Sequence, residues 1–211
     1  MKVVAFNGSP HKEGNTFHSL QVVGQELTAA DIDFEIIQVG SSSLRGCTAC
    51  NGCARNKNEQ CVLPGDELNV WIQKMKEADG ILLGSPVHYA GIGATMKCFL
   101  DRAFYVAGVN GGLLRHKVGA SVVAVRRSGG SSTFDALNHY ITYSEMLLPG
   151  SNYWNIAHGT TPGEVLQDEE GLQLLRVLGR NIAWLLKSLD AAKELVPPPA
   201  AEKKIFTNFI R

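Results

Sequence analysis

The chain lacks any net charge: 20 Lys and Arg balance 20 Asp and Glu across 211 residues. General nucleic-acid binders carry a basic excess, so nucleic acid is not an expected partner. No apolar run approaches the roughly 20 residues that a membrane span requires, so no membrane partner is expected either. The opening MKVVAFNGSP holds one lysine, a short apolar run and a turn. It has neither the hydrophobic segment nor the small-residue cleavage site of a secretory leader, and a cytoplasmic protein is expected. Internal repeats and a domain-dividing linker are also missing, and one domain suits this length. The 45% hydrophobic content excludes disorder and is enough for one core. Cysteine is scarce, at five residues, yet Cys47, Cys50, Cys53 and Cys61 crowd into one segment. In a reducing compartment that crowding points to metal or redox chemistry rather than a disulfide framework.

What is present is alternation. Apolar runs at residues 3–6, 34–39, 80–84, 118–125 and 152–157 read as strands. Between and after them, helical spacing covers 16–29, 66–78, 94–106, 133–146 and 168–189, with Thr16 as a candidate N-cap. Strands apolar on both faces and separated by helices predict an α/β fold, a parallel sheet covered on both sides. Five strands suit a flavodoxin-like three-layer sandwich of order 2-1-3-4-5, with ligands at the carboxyl ends of the strands. The expected organisation is a domain over 1–196, a cysteine-rich loop over 41–65 inserted after the second strand, and a tail over 197–211.

Three small-residue loops leave that carboxyl edge. In the first, between strand 1 and helix 1, Ser9, Asn15 and Thr16 offer side-chain donors, and Gly14 permits close backbone approach. His11 and Lys12 add charge beside a helix N-terminus, an arrangement that suits a phosphate. The loop follows neither the Walker A nor the G-x-G-x-x-G pattern, and a plain strand–helix turn accounts for the same residues. The second loop includes Pro86, and its Val87 and Tyr89 suit the wall of a flat, largely apolar ring, with His88 able to reach an oxygen of it. An ordinary core aromatic at Tyr89 and a solvated loop residue at His88 account for the same residues. The third, Ser128, Gly129 and Gly130, suits close approach from the other side, or a simple surface turn. Arg126 and Arg127 before it suit a phosphate, with a plain surface role the commoner one. Lys97 and Asp101 have the spacing of a helix-surface ion pair.

Gly8-Ser9-Pro10, Gly14-Asn15-Thr16, Gly84 to Tyr89, Lys97 to Arg102 and the terminal Thr207 to Arg211 resemble the NADPH-dependent FMN reductase superfamily, and more narrowly its iron–sulfur flavoprotein branch. The resemblance runs the length of the chain. It implies bound FMN, with Ser9, Asn15 and Thr16 on the phosphate and residues 86–89 along the flavin. It also implies dimers or tetramers with flavins near subunit contacts. Position 11 is His where the family often has Arg, which would make the charge at the phosphate depend on pH. Position 88 is His where the family often has Tyr or another residue.

The run Cys47-x2-Cys50-x2-Cys53, followed by Cys61, fits the compact cysteine motif of that branch, which implies a [4Fe–4S] cluster. Read without the resemblance, the same thiols leave zinc, a regulatory disulfide and an empty loop open. Cys98, on the expected inner face of a helix, reads as a small buried hydrophobe. The expected function is electron transfer through FMN and the cluster, with NAD(P)H as a donor and a small-molecule acceptor or ferredoxin as partner. A cluster-free NAD(P)H-dependent FMN or quinone reductase, and a non-catalytic flavodoxin-like carrier, are the alternatives. The apolar residues of the tail beyond Pro197 to Pro199 need burial, which predicts a homo-oligomer or, equally, packing of the tail on its own subunit.

Overall fold

The computed structural model describes residues 1–207 and 209. Among these residues six strands and six α-helices follow one another: β1 (Lys2–Asn7), α1 (Asn15–Thr28), β2 (Asp33–Gln38), α2 (Gly52–Asn56), α3 (Leu68–Glu77), β3 (Gly80–His88), β4 (Gly91–Ile92), α4 (Ala94–Val109), β5 (Val118–Val125), α5 (Gly130–Tyr143), β6 (Ile156–His158) and α6 (Glu169–Ala192). Five strands lie parallel in the order β2-β1-β3-β5-β6, which is the expected flavodoxin-like topology. The count differs by one: β4, paired antiparallel with the end of β3, makes a sixth strand.

The period-2 alternation of β1 divides the interior in two. Val4 and Phe6 enter the core beneath α3, α4 and α5, and Val3 and Ala5 enter the one beneath α1 and α6. Where the first core closes, Phe6 stacks 4.6 Å from Phe99, whose other edge meets Trp71 at 5.8 Å. All the expected inward residues of α4 — Met96, Phe99, Leu100, Ala103 and Phe104 — are buried. Lys97 and Asp101 form the expected surface pair at 2.6 Å.

Several boundaries depart from expectation. The third strand does not stop at Gly84, because Ser85 and Pro86 continue the ladder against Val123 and Ala124 of β5. Tyr89, at φ 59, then reverses the chain into β4. Helix α5 begins at Gly130 rather than Thr133, since Gly129 at φ 89 turns the backbone directly into it. The last strand is short. Tyr153 and Trp154 turn outward, and the Asn155 side chain rather than a strand residue reaches the Ser121 carbonyl. Helix α6 starts at Glu169 with Asp168 as its N-cap, accepting the Gly171 amide at 2.9 Å. Thr16 is not the cap of α1; Gly14 is.

Residues 197–207 form an exposed tail with no helix or strand. Arg115 donates to the carbonyls of Pro199 and Ala200, and Lys204 donates to the Tyr143 hydroxyl. The expected terminal motif and apolar end include Asn208, Ile210 and Arg211, which lie outside the described residues.

Phe99 is fully buried between two rings. Phe99→Ala should therefore cost about 3–5 kcal/mol. Urea denaturation of both proteins measures it, and a loss below about 1 kcal/mol would mean that the two neighbouring rings close the gap.

Candidate functional site

Backbone contacts draw the loops of the carboxyl edge together. The Gly8 amide donates to the Gly84 carbonyl at 2.8 Å, and the Gly93 amide donates to Ser85 Oγ at 3.1 Å. A Cβ on Gly129 would stand 3.0 Å from Val87, so the β5 loop leans on the end of β3. A Cβ on Gly40 would fall 2.1 Å from the Ser9 carbonyl oxygen, so the end of β2 presses on the first loop as well. Asn7, fully buried, ties that loop down. Its Nδ2 donates to Gln38 Oε1 at 2.7 Å, its Oδ1 accepts the Ser9 amide, and Gln38 Nε2 donates to the Ser9 carbonyl.

Within this frame the expected phosphate residues converge on the start of α1. Gly14 caps the helix with no side-chain hydrogen bond. The first helical amide bond is His18 to the Gly14 carbonyl, so the amides of residues 15–17 precede the ladder. Thr16 is buried, and its Oγ1 has no hydrogen-bond partner among the described residues. An enclosed orphan hydroxyl costs about 1–3 kcal/mol, a cost that a ligand oxygen at this spot would relieve. Ser9 Oγ accepts the His11 amide at 3.1 Å and keeps its own proton free to donate. Asn15 is half committed, since its Oδ1 accepts the Val165 amide at 3.2 Å, leaving its amide NH2 as the donor. His11 stands exposed at the mouth.

Along the second loop, Pro86 and Val87 are half-buried, His88 is exposed, and Tyr89 stands wholly in solvent. Tyr89 is thus a projecting ring, not a core aromatic. Ser128 is exposed, with Gly129 and Gly130 behind it. Beyond the third loop, between the ends of β5 and β6, a cavity of about 430 Å³ is lined by Arg127, Ser128, Gly129, Tyr153, Trp154 and His158.

The cysteine loop forms a second centre. Cys47, Cys50, Cys53 and Cys61 line one small cavity together with Arg102 and Tyr105. Among the described residues, no three ligand-type side chains close to the spacing of a single metal ion. Four sulfurs around one zinc must each lie about 2.3 Å from it, whereas a [4Fe–4S] cube spreads its ligands over four irons. Cys47 and Cys50 are exposed, Cys53 is buried and Cys61 is half-buried. The Gly52 amide, with the Thr48 hydroxyl, draws the Cys50 thiol below the ordinary range, and burial pushes that of Cys53 up. Ala49, Asn51, Lys57 and Glu59 all adopt positive φ. Side chains rarely tolerate that region, so packing around the loop must hold them there.

Helix α4 supplies most of that hold. Tyr105 donates to Asn51 Oδ1 at 2.6 Å, and Asn110 Oδ1, just past the helix, accepts the Glu59 amide at 3.1 Å. Asn69 on α3 grips Cys61 on both sides, accepting its amide at 2.8 Å and donating to its carbonyl at 3.0 Å. Arg102, 1% exposed, pairs with Asp66 and donates to the carbonyls of Arg45 and Leu63. Its Nε also reaches Cys61 Sγ at 3.4 Å. Sequence reasoning missed this arginine. Its signal was its place on the buried stripe of α4, three residues after Phe99 and four before Val106. Cys98, expected to be buried, is half-buried beside Gly46, where an added Cβ would stand 3.7 Å from its sulfur.

The orphan hydroxyl makes a two-sided prediction. Thr16→Val should leave the ligand-free protein as stable as before, or more so, yet weaken FMN by about 1–2 kcal/mol. Thermal unfolding together with FMN titration reads both effects, and unchanged affinity would make Thr16 a packing residue only.

Comparison with known proteins agrees with this geometry. Residues 1–161 match the family model for NADPH-dependent FMN reductase. An iron–sulfur flavoprotein of Methanocaldococcus jannaschii is 33% identical over 194 residues, covering 89% of this chain and 98% of its own length. One from Archaeoglobus fulgidus is 31% identical over 174 residues, covering 81% and 83%. Among solved structures, RosB, determined with 8-demethyl-8-formylriboflavin-5'-phosphate, superposes with a TM-score of 0.68 at 15% identity, covering 100% of this chain and 94% of its own. A flavodoxin from the domain Archaea gives 0.58 at 18%, covering 89% and 99%. The fold, the loops of the carboxyl edge and these matches agree: the chain belongs to the NADPH-dependent FMN reductase family of oxidoreductases.

Proposed function

We propose that this chain is an electron-transferring flavoprotein that binds FMN at the start of α1 and a [4Fe–4S] cluster in the cysteine loop. The observation that carries the reading is the gathering of all four thiols around one cavity, in a chain whose α1 start also holds a buried hydroxyl with no partner. The names of the iron–sulfur flavoprotein relatives support it.

Each residue has a defined part. The amides of residues 15–17, Thr16 Oγ1 and the Ser9 hydroxyl would hold the phosphate. Pro86 and Val87 would wall one side of the ring, and Gly129 and Gly130 would let backbone approach from the other. Bound FMN supplies a centre that accepts a hydride or single electrons. No side chain is needed as acid, base or nucleophile; the protein positions the ring and shields it from water. NAD(P)H suits the role of donor, and a small-molecule acceptor or ferredoxin that of partner.

The two centres are separated within one subunit. Arg102 lies eight residues along α4 from Ala94, which is about 12 Å of helix axis. The tail favours a homo-oligomer, since Leu195, Val196, Ile205, Phe206 and Phe209 are all exposed in the single chain.

Protein prepared without oxygen should carry FMN and about four irons per chain. Replacing Cys47, Cys50, Cys53 or Cys61 with Ala should remove most of the iron and leave FMN in place, while Cys98→Ala keeps both. Iron-free protein with full FMN and rapid NAD(P)H oxidation would instead identify a cluster-free FMN or quinone reductase. Flavin without turnover would identify a flavodoxin-like carrier. Deleting residues 197–211 should lower the oligomeric state seen by sedimentation; an unchanged assembly would exclude the tail from the interface.

A further inference from the structure

Among the described residues, Arg102 is the cation enclosed beside the cysteine cavity, and its fork is divided between two tasks. The terminal nitrogens face Asp66, which is 8% exposed at its side chain, while Nε points the other way, to Cys61 Sγ at 3.4 Å. The guanidinium thus bridges the Cys61 sulfur and the Asp66 carboxylate. The contacts to Asp66, Arg45 and Leu63 tie the loop to α4, and the remaining N–H of the group is spent on sulfur. The Cys61 backbone is also held in place, since Asn69 fixes its amide and its carbonyl.

We infer that Arg102 is a positioning residue that sets the reduction potential of the cluster, through its N–H···S bond to Cys61 and its enclosed positive charge. This rests on the cluster proposed above. Hydrogen bonds to the sulfurs, net charge and exclusion of water are what tune such potentials. When one electron enters the cluster, the thiolate-bound group gains one negative charge and takes up no proton. A donor and a cation next to its sulfur stabilise that reduced state, so Arg102 raises the potential. Burial works against the guanidinium charge, yet Asp66 and Cys61 more than offset it, and the group stays charged.

The test is an anaerobic dithionite titration followed by electron paramagnetic resonance and by flavin absorbance. Two variants are compared with the unaltered chain: Arg102→Lys, and the double variant Arg102→Gln with Asp66→Asn, which leaves no buried charge unpaired. The expected result is a cluster midpoint shifted to lower potential in both variants, further in the double one, with the FMN midpoint unmoved. A purely structural clamp would change iron content or stability and leave the midpoint where it was; that result overturns the proposal.

A second measurement does not require the variants to retain iron. The Arg45→Lys and Arg55→Lys chain, grown with guanidino-15N arginine, should show a weak 15N hyperfine coupling to the reduced cluster from Arg102. Its absence in an iron-loaded sample also overturns the proposal. Failure of the cluster reading itself is seen separately, as unaltered anaerobic protein that carries FMN and no iron.

Discussion

The buried pair of Arg102 and Asp66 is the contact on which the cysteine loop depends. Taking two charges out of water is expensive, and the attraction between them repays it only when the remaining donors are also satisfied. Here they are, by Cys61 Sγ and the carbonyls of Arg45 and Leu63. One side chain of α4 thereby grips both ends of a long segment that has a single short helix, α2, of its own. Removing either partner of such a pair typically costs about 3–5 kcal/mol. The left-handed residues of the loop would then lose the packing that holds them in that region.

A different economy governs the carboxyl edge of the sheet. There the loops are brought together by missing side chains and by amides, not by charge. Gly8 and Gly40 let one backbone pass against another at distances where any Cβ would collide. Asn7 and Gln38 complete the frame from the strand ends. The result is a rim around the start of α1, and among the described residues the polar atom left unanswered there is Thr16 Oγ1, at the place proposed above for the phosphate. The two centres share a sheet edge but differ in kind, one built from backbone donors and the other from sulfur beside a buried cation. Helix α4 connects them, its first residues packed against the rim and its middle against the thiols.

The order of strands and helices was legible in the sequence because each depends on local pattern. Apolar runs of the right length, helical spacing and the turns between them were enough for the parallel five-stranded order. The loop residues were legible for the same reason, since Ser9, Gly14, Asn15 and Thr16 stand at a strand-to-helix turn whatever the packing. The four cysteines were conspicuous by spacing alone. Their convergence is a long-range matter, because Cys61 reaches the others only through contacts with α3 and α4. Strand ends were poorly legible for the same reason: β3 runs to His88 because β5 offers it partners, and β4 exists only because Tyr89 reverses the chain.

The sequence by itself therefore determined the fold class and the positions of the candidate loop and cysteine residues, since each is written in residue types at short spacings, and its resemblance pointed to the family. Only the tertiary structure decided that Thr16 is enclosed without a partner instead of capping its helix. Only there does Arg102, one charged residue among many, become a buried cation against a thiol. Both follow from which groups the packed chain leaves in contact with water, and an unfolded chain leaves all of them there.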